Sequence, residues 1–420
     1  MFKNLKLIFK KSNKDIRKRL GFTLMCLFIF VVGTTIPVPG VSLKDFDFGD
    51  LTNVITGGAL EKFSIFALGV SPYISATIIT SLLQMDIIPY FTELRDSGPA
   101  GRQKINQINR YIGIFIAFIQ GFAMSFALVQ NASAIDYVRT TLILTAGTAF
   151  LLWLGDQMTQ KGLGNGTSLL IMAGILSTIP RMFIDSFNAL IIDNSNMFIG
   201  IASFILFVLI YIAIIVAVIF IQESERRVPI QYSNQTSSAY GAKQNYIPFK
   251  LNSAGVMPVI FASVIFTIPT FIAGLMNSDN AFVSFVNKYV NYTTYSGFIV
   301  YVILIFAFSF FYTFIQVNPE ELSKNLNRNG GYIPGVRPGK ETVSYIKTVL
   351  SRFTLVGALF ICIIAGIPIV VSSFISTNLP TSVSIGGTSI LIVVGVALET
   401  VRQLESSLLN RSYSKRGRRV

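Results

Sequence analysis

Histidine is absent from this chain, and cysteine and tryptophan nearly so, with two and one among 420 residues. Without imidazole there is no neutral-pH base and no histidine ligand for zinc. Cys26 and Cys362 stand far apart in separate apolar runs with no Cys-x-x-Cys spacing, so disulfide and thiolate-metal chemistry have no support. No Gly-x-x-x-x-Gly-Lys-Ser/Thr loop is present to cradle a nucleotide. The carboxylates Asp96, Asp156 and Glu320 sit on scattered loops without metal-ligand spacing. These absences predict no metal, no cofactor and no enzyme.

Charge is the next scarcity. Only 13% of the residues are charged and 52% are hydrophobic, which is too apolar for a chain that wraps its core in polar surface. In hydrocarbon every backbone donor and acceptor must be satisfied internally, so apolar runs near twenty residues read as spanning helices. Ten such runs are present: 20–36, 63–85, 111–129, 140–154, 167–180, 197–221, 254–275, 298–317, 353–373 and 385–401. They are too continuous for the alternation of a closed β-barrel. The expectation is an all-α integral membrane protein of ten transmembrane helices.

The basic residues are distributed very unevenly. With ten spans, 29 of the 34 lysines and arginines fall on the tails and loops of one face and five on the other. That bias places both termini in the cytosol. A missed or extra span would exchange the faces of every later loop, so the asymmetry also supports the span assignment. The basic N-tail leads into a run ending at Thr34-Thr35-Ile36-Pro37-Val38-Pro39 without a small-residue cleavage site, so the first run is read as a retained helix.

Two pairs of spans echo each other. Gly69-Val70-Ser71-Pro72-Tyr73-Ile74-Ser75-Ala76 in the second span shares Gly, Val, Pro, Ile and Ala in register with Gly255-Val256-Met257-Pro258-Val259-Ile260-Phe261-Ala262 in the seventh. Gly166-Thr167-Ser168 in the fifth returns as Gly387-Thr388-Ser389 in the tenth. Both echoes lie five spans apart, and five is odd, so the second half enters from the opposite face as an inverted repeat. The expected organisation is a basic N-tail at 1–19, a first half at 20–180, an external hinge loop at 181–196, a second half at 197–401 with loops at 222–253 and 318–352, and a basic C-tail at 402–420. Pro72 and Pro258 are expected to interrupt the second and seventh helices.

No Asp, Glu, Lys, Arg or His occurs in any span before Glu399, near the end of the last. Ion-coupled carriers and intramembrane enzymes place ionisable groups at mid-membrane. The repeat instead pairs Ile74 with Ile260 and Ile171 with Ile392, and an apolar constriction closes a pore without binding an ion or small solute. An isoleucine in a membrane helix ordinarily faces lipid or a neighbouring helix. The rival reading is a secondary transporter of inverted-repeat type, which the missing charges disfavour.

The same stretches carry a family resemblance. Gly57-Gly58-Ala59-Leu60, Phe63 to Gly69, Pro72-Tyr73-Ile74-Ser75, Ala100-Gly101-Arg102, Trp153-Leu154-Gly155-Asp156-Gln157, Gly164-Asn165-Gly166, Ala254-Gly255-Val256, Asn318-Pro319-Glu320-Glu321 and Gly335-Val336-Arg337-Pro338-Gly339 occur in order over nearly the whole chain. In these the chain resembles the SecY family, central channel subunits of the bacterial Sec translocase, in a Gram-positive-like form. The resemblance implies a passive protein-conducting channel in the plasma membrane, with a pore ring of Val70, Ile74, Ile171, Ile175, Ile260 and Ile392. Val70 stands where many relatives carry isoleucine.

It implies a plug formed by Leu51, Thr52, Asn53, Val54, Ile55, Thr56, Gly57, Gly58, Ala59 and Leu60. It also implies a lateral gate between the second and seventh helices, carrying Pro72, Ser75, Ile78, Pro258 and Ser263. Docking of cytosolic partners would fall to Arg226, Arg227, Arg337, Pro338 and Gly339. Lys243 alone is basic between Tyr232 and Tyr246, where relatives often carry several arginines, which weakens the case for ribosome docking through that tip. The implied partners are SecE and SecG, the SecA motor, the ribosome, secretory and membrane-protein substrates, SecDF and YidC, and membrane lipids.

Overall fold

The computed structural model describes residues 14–41, 58–59, 62–84, 88–129, 133–192, 197–232, 245–276, 280–290, 294–375 and 381–416. Each of the ten apolar runs contains a helix, the second only from Ser71 and the seventh from Met257. The first five are α1 (Lys14–Thr34), α2 (Ser71–Leu83), then, after the short α3 (Pro89–Asp96), α4 (Gly98–Leu128), α5 (Ala134–Lys161) and α6 (Gly166–Phe187). The second five are α7 (Met197–Glu223), α8 (Met257–Leu275), α10 (Tyr295–Gln316), α12 (Lys340–Ile375) and α13 (Thr381–Arg416), with short helices α9 (Ala281–Tyr289) and α11 (Pro319–Arg328) between them. Among the described residues α4, α5, α6, α7, α10 and α12 are long and apolar enough to cross a membrane unaided, whereas α2 and the first part of α8 are shorter apolar helices.

The two halves pack alike. In the first, α1 lies on α5 and α6, α2 on α4, α4 on α5 and α5 on α6. In the second, α7 lies on α12 and α13, α8 on α10, α10 on α12 and α12 on α13. Numbered within each half, these are the same pairs. The halves meet along two seams, α2 against α8 and α6 against α13, each joining a helix to its own counterpart, with α8 also reaching α4.

The expected hinge loop is largely helical. α6 runs through Pro180 to Phe187 and continues as a π-helical turn, Asn188–Ile192. Serine and threonine beside a helical proline take up backbone carbonyls, and here Ser177 and Thr178 donate to the carbonyls of Ala173 and Ile175. Aromatic packing across the turn secures it. Phe183, Phe204, Phe207 and Tyr211 form a cluster between α6 and α7, with the Phe207 and Tyr211 ring centroids 4.6 Å apart. The C-tail likewise extends α13 as far as Arg416.

The second span is not one helix. Residues 65–70 form turns, and helix begins only at Ser71. The irregular segment wedges between α1 and α5 where two glycines let it in. A Cβ on Gly147 would collide with the carbonyl oxygen of Ile65, and one on Gly33 with the Phe66 ring. Phe66 then stacks between Phe30 and Phe150. Irregular backbone at membrane depth survives only when surrounded by protein, and Ser64, Phe66 and Ala67 are all buried.

On the basic face the helical fold carries one small sheet. β1 (Glu225–Tyr232) pairs antiparallel with β2 (Asn245–Lys250), placing Arg226 opposite Phe249 and Arg227 opposite Pro248. Its far end pairs with β3 (Gly331–Tyr332) of the later loop, giving the order β2-β1-β3. Pro229 is tolerated because β3 reaches only Gln231 and Tyr232, which leaves that stretch of β1 an edge. Val228, Phe249, Ile333, Ile346 and Leu350 close a small core beneath the sheet, so the two loops and the start of α12 fold as one unit.

Candidate functional site

Helices α2 and α8 begin by the same device. Gly69 and Gly255 take φ of +56° and +64°, a left-handed conformation that glycine adopts without the Cβ penalty. Val70 (φ −99°, ψ 4°) and Val256 (φ −95°, ψ −9°) follow as caps. The carbonyl of Val70 accepts from the backbone N–H groups of Tyr73 and Ile74, and that of Val256 from those of Val259 and Ile260. Pro72 and Pro258 occupy the first turn, where a missing N–H costs nothing. The expectation that these prolines interrupt their helices is therefore corrected: they start them, and the interruption is the turn before.

The aliphatic side chains singled out in the sequence share one part of the core. Val70, Ile74, Ile171, Ile175, Ile260 and Ile392 belong to one buried cluster, and none is more than 5% exposed. They come from α2, α6, α8 and α13, the four helices of the two seams. Among the described residues no group of carboxylate and cysteine side chains could hold a metal.

Pro72, Ser75, Ile78, Pro258 and Ser263 are also buried. Ile78 continues the aliphatic cluster. Ser75 donates back to the carbonyl of Ser71, and Ser263 donates to the carbonyl of Val259 with its oxygen 3.1 Å from the Tyr301 hydroxyl of α10. Of the segment 51–60, Gly58 and Ala59 are described and the other eight positions lie outside the described residues. Ala59 is fully buried, and its carbonyl accepts from the backbone N–H of Ser64.

On the basic face Arg226 and Arg227 are exposed on β1. Arg227 donates to Glu225 at 3.0 Å and lies 4.8 Å from the centroid of the Tyr246 ring, and its hydrogen bond to Glu225 holds its proton more firmly still. Arg337, with 87% of its side chain exposed, stands on a turn fixed by Pro338 and Gly339 (φ +103°) and by Thr342, which donates to the Arg337 carbonyl. Lys243 lies outside the described residues.

Sequence reasoning missed two polar contacts near this site. Thr80 of α2 donates to the amide oxygen of Asn109 on α4, both buried. Arg110 meets Asp156 of α5 at 2.8 Å. Asn109 and Arg110 sit just ahead of the third apolar run, where the visible signal was only a polar edge. Asp156 is thus ion-paired, and Glu320 sits at the N-terminus of α11 beneath the Asn318 cap.

Comparison with known proteins gives a consistent picture. Residues 64–401 match the family model described as SecY. The protein translocase subunit SecY of Halalkalibacterium halodurans is 44% identical over 429 residues, covering 98% of this chain and 99% of its own length. That of Staphylococcus aureus is 43% identical over 422 residues, covering 97% of each. By fold the chain is similar to a solved protein-conducting channel, with a TM-score of 0.67 at 18% identity over 93% of this chain and 92% of that one. It is also similar to Sec61 in the canine ribosome-channel complex, with a TM-score of 0.64 at 18% identity and the same coverage.

Proposed function

The chain belongs to the SecY family, and from that premise we propose that Val70, Ile74, Ile171, Ile175, Ile260 and Ile392 form the closing ring of its channel. The protein is the channel subunit of a Sec translocase and passes unfolded polypeptides across the membrane. One observation supports the ring: six buried aliphatic side chains from both halves, at or on the four helices that form the two seams, belong to one core cluster. Such a ring excludes water while offering nothing that binds one sequence over another.

The mechanism follows from the seams. An apolar signal segment enters between α2 and α8, separates them, and moves sideways into lipid. The polar chain behind it displaces the segment 51–60 and threads the ring, whose side chains close around it and limit ion flow. Conduction is passive, and the driving energy comes from a motor or a ribosome docked on the basic face. Arg226, Arg227 and Arg337 offer that partner a cationic surface, braced by the sheet that joins their loops. SecA, SecE and SecG complete the working translocase in the bacterial plasma membrane, with both termini of this chain in the cytosol.

The test is site-specific crosslinking. Cysteine is placed at Ile74 or Ile260 in a background with Cys26 and Cys362 replaced, and a secretory chain is stalled in transit. Crosslinks are expected at both positions and not at Ile205, a lipid-side residue of α7 that is 54% exposed. Crosslinks at Ile205 with none at Ile74 or Ile260 would remove the ring from the path.

A further inference from the structure

Between the ends of α8 and α10 on the face opposite the basic one lies α9, nine residues with the sequence AFVSFVNKY. Three features of it point in three directions. Val283 and Val286 are buried, packed with Val290 against Ala273 of α8. Phe282, Phe285 and Tyr289 are exposed and recur at three- and four-residue spacing, which places them on one stripe about 100° around the helix from the valines. The rings of Phe285 and Tyr289 are 5.1 Å apart. Ser284 and Lys288 are exposed on the remaining side.

An exposed aromatic stripe in water would be costly, and its surroundings supply a covering. The neighbouring surfaces of α8 and α10 are exposed and apolar at the same end of the molecule: Ile268, Ile272 and Met276 on one, Tyr295, Ile299 and Ile303 on the other. In a chain that crosses the membrane these faces meet acyl chains, and α9 packs against both helices, so its stripe continues the same surface. The serine at position 296 ties the end of α9 down by donating to the carbonyl of Lys288. Aromatic residues with a lysine beside them are the composition of the membrane interface.

We propose that α9 is an interfacial anchor lying in the headgroup layer of the outer leaflet, with Phe282, Phe285 and Tyr289 toward the acyl chains and Ser284 and Lys288 toward water and lipid phosphate. The anchor is built onto α8 through Val283 and Val286, so the outer end of that helix is held at a set depth in the bilayer. This inference needs only that α8 and α10 cross the membrane, and it stands or falls separately from the ring.

The test uses the full chain in vesicles of phosphatidylcholine and phosphatidylglycerol, with its single native tryptophan, Trp153, replaced by phenylalanine. Phe285→Trp and, independently, Tyr289→Trp are expected to emit to the blue of Ser284→Trp. Lipids brominated near the glycerol should quench them about twofold more than lipids brominated at the chain end. Ser284→Trp is expected to be the one quenched by aqueous iodide. Red-shifted, iodide-sensitive emission from both stripe variants would overturn the proposal by placing the stripe in water. Blue emission indifferent to either brominated lipid would overturn it by showing a protein covering.

Discussion

Ile260→Ala probes the ring most directly. The side chain is 4% exposed and shares its cluster with five other ring residues drawn from both halves of the chain. Removing three buried carbons at about 0.8 kcal/mol each withdraws about 2.4 kcal/mol from the closed arrangement. In an open pore the same side chain faces water or a moving polypeptide, so the loss falls on the closed state alone. At tenfold per 1.4 kcal/mol the open fraction rises about 50-fold, and more where the cavity fails to collapse. The assay is ion efflux from proteoliposomes holding the translocase, normalised to channel content, with thermal unfolding measured alongside. Leu144→Ala in α5 is the control, because Leu144 is fully buried in a separate cluster and should cost stability without raising efflux. Wild-type efflux from a folded Ile260→Ala channel, or equal efflux from Leu144→Ala, would refute the ring.

Other outcomes follow from particular contacts. Asn109→Leu removes the acceptor of Thr80 between α2 and α4. An interhelical bond of this kind is worth about 1 kcal/mol, so translocation of a substrate with a weakened signal segment should rise about fivefold in an export assay. Gly147→Val drives a side chain onto the Ile65 carbonyl and should lower stability by about 1–3 kcal/mol, read as a lower melting temperature in detergent. Gly21→Ala, with open space around its Cβ, should leave melting unchanged or raise it slightly. Arg337→Glu should leave melting unchanged while weakening motor or ribosome binding at least about tenfold, most visibly at low salt.

The ten helices were legible because hydrocarbon demands long uncharged stretches, and the repeat was legible because both halves start a seam helix with the same glycine, valine and proline. The break at residues 65–70 was legible only as an interruption near Pro72, and its extent was not. That segment is as apolar as the helix after it, so hydropathy cannot distinguish a buried turn from a helical one. What marks it in hindsight is Gly69 followed by a proline at the position where helices begin. The sheet was hidden for a different reason: β1 shows its alternation only at Val228 and Ile230, beside a proline, and β3 is two residues long. The contact of Thr80 with Asn109 joins residues 29 apart and depends on how α2 settles against α4, which no local pattern records. The ring residues were legible as a set of aliphatics, but their convergence is a property of the seams.

The π-helical turn joining the halves has a directional consequence. Beside it an aromatic cluster packs α6 against α7, and α6 also meets α13. Among the described residues the other contact between the halves, α2 with α8, has no comparable set of rings. In the proposed channel, a body held along one edge would open toward the other. On the mechanism proposed above, a membrane segment leaving the channel has one doorway with a fixed left and right jamb.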